Sequence, residues 1–228
     1  MEPTMQQTKQ TSQPSPSHRR KRVIETAQRL IGKTGYHGVT MRDLARESGV
    51  SIPTLYKLFG DKKHLLDAAV GAGMSEMILG RCESRGVRRY LALLEGLACS
   101  IGCRPDYIGS LVQSLHDHWH SWERFAPLAS KLLAELEAAL REMREAGELV
   151  DWADPGALAD RVAGYCVSTL MAWHGGHIEE SRVAPTLVYG GASMVMGFSL
   201  GGSSAVLANE VRQRQPFVQR FPRSNRST

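Results

Sequence analysis

Apolar residues return along the first part of this chain at helical intervals. Val23, Ala27, Leu30 and Ile31 fall at i, i+4, i+7 and i+8, one face of a helix that Gly35 can end. Two much shorter helices follow within residues 40 to 66, TMRDLARESGVSIPTLYKLFGDKKHLL. Thr40 is a good N-cap with Asp43 three residues on, so side chains can satisfy the first free N–H groups. Leu44 and Ala45 then face inward, and the small alanine lets a second helix cross closely. Gly49 supplies the left-handed or tight backbone that a reversal within Ser48 to Ser51 demands. Ser51 is placed to cap the next helix. Pro53 sits in its first turn, where a missing N–H costs nothing, and Leu55 and Phe59, four apart, form its buried stripe. Asp61 is expected to cap a further helix that runs past Leu79.

On the open side of the second short helix this pattern leaves Ile52, Thr54, Tyr56, Lys57 and Leu58, with Lys62 just beyond. A helix that enters the major groove needs such a surface: its N-terminal residues meet base edges while hydroxyls and ammonium groups grip phosphates. The whole run resembles the N-terminal domain of TetR-family transcriptional regulators. The elements that carry the likeness are Thr40 and Arg42, Ser48 and Gly49, Leu55, Tyr56 and Phe59, Lys62, and the pair Leu65 and Leu66, within Arg19 to Leu79. The resemblance implies a helix-turn-helix that binds a palindromic operator as a homodimer. Its DNA-contacting residues would be Thr40, Arg42, Ser51, Ile52, Pro53, Thr54, Tyr56, Lys57 and Lys62. Leu58 stands where the family commonly shows histidine or tyrosine. Ile52 at the head of the helix would either pack on a thymine methyl or turn back onto helix 1 or 4.

From Gly60 to Gly202 the pattern stays helical, with Gly and Pro as punctuation and no sustained alternation that would mark strands. The expected class is all-α, a three-helix reading head followed by a larger helical effector-binding and dimerisation domain. Helices fit Val87 to Cys103, Pro105 to His120, Pro127 to Ala146, Pro155 to Trp173 and Pro185 to Leu200, with a stop at Ala146-Gly147-Glu148-Leu149. The middle helices offer candidate contacts for a small-molecule effector in Tyr107, Leu111, Leu115, His116, Trp119, His120, Trp122, Phe125 and Tyr165, an aromatic and apolar set with a few polar tips. His116 and His120 share a helical face, a spacing that can chelate zinc, but a third ligand is missing from the local sequence and no metal site is assigned. From Val183 to Asn209 runs a stretch of 27 residues without charge, holding Pro185 and five glycines. A buried interface helix explains it better than a membrane span. Gly190, Gly191, Ala192, Ser193 and Gly197, like Ala159, Ala163 and Gly164 before them, would let helical backbones approach closely; by resemblance these two helices meet their mates from a second subunit.

Length and charge sharpen the picture. The 228 residues, 42% of them apolar, allow two modest domains with a real core. Residues 19 to 63 hold eleven Lys or Arg against four Asp or Glu, a net of +7, whereas residues 64 to 202 sum to −6. Basic charge gathers where the motif is, as phosphate neutralisation requires. The domain plan is an arm over 1–17 that is polar and expected to be disordered, a reading head over 18–79, a body over 80–202, and a basic, loosely ordered tail over 203–228. The basic run Arg19 to Arg22 reads either as a solvated tail or as an arm following DNA into the minor groove. No apolar segment follows these early basic residues, so a cytoplasmic protein with reduced cysteines is expected. Cys82, Cys99, Cys103 and Cys166 form no C-x-x-C pair; Cys99 and Cys103 lie four apart, as a thiol sensor or as ordinary helix residues. No nucleophile stands beside a base and no glycine-rich phosphate loop occurs, so neither catalytic residue nor cofactor is assigned. The rival readings are a metal-dependent enzyme built on His116 and His120, and a DNA-packing protein indifferent to sequence.

Overall fold

A computed structural model describes residues 15–79, 84–117 and 122–218, with side chains left undescribed at 74–79, 114–117 and 122–129. The described residues form ten α-helices: α1 (Pro16–Gly38), α2 (Met41–Ser48), α3 (Ile52–Phe59), α4 (Lys62–Leu79), α5 (Gly86–Cys103), α6 (Pro105–Asp117), α7 (Trp122–Glu145), α8 (Pro155–His174), α9 (Glu180–Met196) and α10 (Gly201–Arg214). A single antiparallel bridge, Leu149 with Ser199, is the one piece of β pairing among them. It ties the α7–α8 connection to the α9–α10 connection, helped by Val150 N–H on Phe198 O at 2.9 Å and Leu200 N–H on Glu148 O at 2.7 Å.

Local signals account for most boundaries. Ser15 accepts from the His18 N–H and Pro16 occupies the first helical position, so α1 begins three residues before the arginine run. The basic residues Arg19 to Arg22 therefore sit on a helix, and Ser15, Pro16 and Ser17 are removed from the arm expected over 1–17. Gly35, at φ 75° and ψ 162°, breaks the helical path of α1 before its last turn. Gly147 adopts φ 70°, and Glu148 N–H reaches back to Met143 O at 2.8 Å, the six-to-one bond that closes a helix.

Three expectations need correction. Pro185 lies inside α9, which starts five residues earlier at Glu180; the carbonyl left without its partner belongs to Ser181, which is exposed to water. Helix α7 likewise starts at Trp122, ahead of Pro127. Residues 203–217, expected within a loosely ordered tail, are helical. Most of them belong to α10, packed on α9 with Ser203 and Leu207 buried, and Arg214 pairs with Glu95 of α5 at 2.6 Å. Two buried anchors and a cross-helix ion pair supply order that the polar composition hid.

Glycines expected at a subunit interface serve contacts within the chain. A Cβ on Gly190 would stand 2.1 Å from Cζ of Tyr165, and one on Gly191 would stand 2.5 Å from a Leu94 methyl. Tyr165 donates to Thr186 O at 2.7 Å and Tyr90 to Gly191 O at 2.8 Å, so these glycines let α8 and α5 close on α9.

Helix α5 lacks a capping side chain of its own at Arg85. Carboxylates reach its first N–H groups from elsewhere: Glu148 accepts from Val87 at 3.2 Å and Glu142 from Gly86 at 3.4 Å. Arg89 joins Glu142 and also Glu135 at 2.9 Å, and Lys131 meets Glu135 at 2.7 Å. Burial pushes the Glu135 carboxyl up, but Lys131 and Arg89 outweigh it and hold it below the usual range. A carboxyl depressed by folding stabilises the protein above its unfolded pKa and loses that effect as pH falls through the folded one. Glu135→Gln is therefore expected to cost roughly 2 kcal/mol at neutral pH, with the difference between the two proteins shrinking as pH falls through the depressed folded-state value, below the ordinary carboxylate range. Denaturant titrations at pH 7, 5 and 3.5 check this, and a difference as large at the lowest pH as at pH 7 would refute it.

Candidate nucleic-acid interface

The reading head is α1 to α3 with the start of α4, built on a core of Val23, Ala27, Leu30, Ile31, Leu44, Leu55, Phe59, Leu65 and Leu66. Thr40 caps α2 as expected: its hydroxyl accepts from Asp43 N–H at 3.1 Å and donates to the Asp43 carboxylate at 2.6 Å. That hydrogen bond, ahead of the Arg46 contact, holds the Asp43 carboxyl below its ordinary range. Gly49 closes α2 in the left-handed conformation at φ 64°, and Val50 N–H returns to Ala45 O. Leu55 and Phe59 then point inward from α3.

Ser51 departs from its expected role. It occupies the N-cap of α3, but its hydroxyl bonds the Thr54 hydroxyl at 2.8 Å instead of a backbone N–H. Both hydroxyls stay at the head of the helix as a coupled pair.

The outward side of α3 carries Pro53, Tyr56 and Lys57, all exposed, with Tyr56 at 49% of its possible surface. Lys57 makes no hydrogen bond or ion pair among the described residues. Ile52 and Thr54 are half-exposed, and Ile52 does not join the core. Leu58, placed on the open side by spacing, instead packs against the core and offers its backbone carbonyl to Arg20. Arg42 is exposed on the first turn of α2. Lys62, half-buried, donates to His37 O at 3.3 Å, which steers its ammonium group across the connection between α1 and α2.

Arg20 is the residue that sequence reasoning missed. Its guanidinium lies 4.4 Å from the centre of the Phe59 ring and donates to Leu58 O at 2.9 Å. A cation thus stands on the carbonyl end of α3, where the helix dipole favours it. The spacing of Arg20 on α1 could not reveal this, because 38 residues separate it from Leu58. Arg29 similarly braces α2 through Glu47 at 2.6 Å. Part of the basic charge is thus spent on the scaffold, and Arg42, Tyr56 and Lys57 are among the side chains left facing outward.

The head joins the body through α1 on α6 and α4 on α5 and α7. At this joint Gln28 donates to Ala69 O at 3.0 Å and accepts from Arg104 at 2.9 Å, while Arg104 lies over the Tyr107 ring. A Cβ on Gly73 would meet the Tyr107 hydroxyl at 2.9 Å. The Gly73 position in α4 is therefore set by packing against Tyr107.

Of the expected effector contacts, those with described side chains are Tyr107, Leu111 and Tyr165. Tyr107 and Leu111 are buried, Tyr107 at the joint with its hydroxyl 3.4 Å from Ala69 O, and Tyr165 binds α8 to α9. Leu115 and His116 on α6, and Trp122 and Phe125 on α7, have side chains outside the described residues; Trp119 and His120 lie outside them entirely. A cleft of about 610 Å³ opens instead between the end of α1, the start of α6 and the end of α8, lined by Tyr36, His37, Gln113, Trp173 and His174 among others. No helix among the described residues is long and apolar enough to cross a membrane.

Residues 23–69 match the profile described as bacterial regulatory proteins, tetR family. The chain is similar to the HTH-type transcriptional repressor KstR of Mycobacterium tuberculosis (strain ATCC 25618 / H37Rv), 39% identical over 59 residues that cover 26% of this chain and 27% of that protein. It is also similar to the Tetracycline repressor protein class D of Escherichia coli, 34% identical over 101 residues, 38% of this chain and 46% of the relative. These matches thus span only about a quarter to a half of the relatives' lengths. The fold as a whole is similar to that of tylp, a TetR regulator from Streptomyces fradiae, with a TM-score of 0.61 at 18% identity, covering 90% of this chain and 97% of that one.

Proposed function

We propose that the chain is a ligand-responsive repressor of the TetR type, the family whose profile its residues 23–69 match. Two copies present α3 to successive major grooves of a palindromic operator. The observation that carries this reading is the exposure of Tyr56 and Lys57 on a short helix whose register is fixed by the Thr40 cap, the Gly49 turn and the Arg20 brace. One such helix reads only a few base pairs, so a pair of half-sites about 34 to 36 Å apart needs a homodimer.

Helices α8 and α9 are the proposed dimer surface. The Cβ positions of Gly164 and Gly197 meet open space, and Met194 of α9, Trp152 just before α8 and Leu200 just after α9 are exposed apolar residues. The effector is a small molecule bound in the body, acting in the cytoplasm where the operator is. Its binding would bias the joint formed by Gln28, Ala69, Arg104 and Tyr107, because that joint links α1 and α4 to α6.

Selection of bound duplexes from a random pool tests the reading. The expected product is a short inverted repeat, protected as one discrete footprint; continuous protection without enrichment would assign the protein to non-specific DNA packing instead. A rise in melting temperature with one compound of a metabolite panel, accompanied by loss of the footprint, identifies the effector.

A further inference from the structure

Two thiols outside the reading head face each other on the solvent side of α5. Cys99 and Cys103 are both exposed, and their Sγ atoms are 3.9 Å apart. The opposite face of the helix, with Tyr90, Leu94, Leu97 and Ile101, is buried, so the pair is held outward in fixed i, i+4 register. Two thiolates on a tetrahedral ion lie roughly 3.8 Å apart at the zinc–sulfur length of about 2.3 Å, and somewhat farther apart on a larger soft ion. A disulfide requires much more: sulfurs at about 2.05 Å and Cβ atoms at about 4 Å, whereas helical i, i+4 Cβ atoms are about 5 to 6 Å apart. Oxidation would have to unwind the last turn of α5, while chelation needs only a small rotation of side chains already in place.

We propose that Cys99 and Cys103 form a bidentate site for a soft divalent cation of the cadmium class. Each thiol releases its proton and donates a sulfur lone pair, so two metal–sulfur bonds form, two protons leave and no oxidant is required. Water or chloride completes the coordination. Cys103 borders a cleft of about 690 Å³ whose charged lining, Arg22, Arg29, Lys33 and Arg104 against Glu25 and Asp106, is net positive; it leaves room for those ligands and favours an anionic one. Sulfur donors select such ions against magnesium and calcium. Cys166 does not compete, because it is fully buried and burial pushes its thiol up to about 12. The site lies one residue from Arg104, whose guanidinium holds Gln28 at the joint between head and body.

Titration of the reduced full-length protein with cadmium chloride, followed by sulfur-to-metal charge-transfer absorption in the ultraviolet, tests the proposal. One equivalent is expected to bind. Cys99→Ser and Cys103→Ser should each weaken binding by about tenfold or more, while Cys82→Ser and Cys166→Ser change it by less than about twofold. Full affinity in both of the first two variants overturns the site, and so does loss of binding in Cys82→Ser. A hydroperoxide-driven disulfide between Cys99 and Cys103 in protein that takes up no cadmium would assign the pair to redox chemistry and likewise overturn it. Far-ultraviolet circular dichroism confirms that each variant is folded.

Discussion

Replacing Tyr56 and Lys57 together by alanine is expected to weaken operator binding by at least about a hundredfold while leaving the melting temperature unchanged. Both side chains are exposed on α3 and neither contributes to the core. Alanine is the better helix former, so α3 itself should not suffer. A hydrogen bond to a charged phosphate contributes about 1.5 kcal/mol, and a symmetric dimer loses it in both halves, so the Lys57 contact alone gives roughly 3 kcal/mol and the Tyr56 contact adds to it. The lysine has a second signature. Removing one phosphate contact per subunit should lower the slope of log affinity against log salt by about 2 units for the dimer. Binding titrations at several salt concentrations measure both quantities. An unaltered affinity and slope in a folded double variant would mean that α3 does not lie against the phosphates.

Gly190→Ala should destabilise the protein by about 1 to 3 kcal/mol, although alanine in a helix interior normally gains about 1 kcal/mol over glycine. The sign is reversed by contact. The new methyl would stand 2.1 Å from Cζ and 2.3 Å from the hydroxyl of Tyr165, which must swing away and give up its hydrogen bond to Thr186 O. Overpacking costs about 1 to 3 kcal/mol and the lost bond about 1, against the gain of about 1 in helix propensity, a fall in melting temperature of roughly 3 to 8 °C. Gly71→Ala is the control, since a Cβ there meets nothing within 4 Å, and it should be neutral or stabilising. Combining Gly190→Ala with Tyr165→Ala should cost less than the two single changes summed, because the second removes the obstacle created by the first. Strict additivity would show that the tyrosine ring is not what the methyl strikes.

The reading head was legible because its signals are local. Thr40 with Asp43, Gly49 and Pro53 each act within one turn of the chain, and the spacing of Leu55 and Phe59 follows from helical geometry alone. The body was legible only as a set of helices. Proline marked the first turn of α6 and α8 correctly but misplaced the starts of α7 and α9, since a proline tolerated inside a helix looks the same in sequence as one at a helix start. The aromatic residues of the middle helices suggested a pocket. Hydrophobicity says that a tyrosine is covered, not by what, and Tyr107 and Tyr165 are covered by Gly73 and Gly190.

The order of residues by itself determined the helical class, the bihelical turn and the concentration of positive charge around it, all of which arise from interactions between neighbours along the chain. Tertiary structure alone decided that Arg20 braces α3 and that carboxylates of α7 and its following turn cap α5. It also decided that α10 is anchored and that the glycines of α9 face inward. Those outcomes depend on which surfaces meet after distant segments have packed, and a contact across 38 or 61 residues leaves no periodicity from which it could be read.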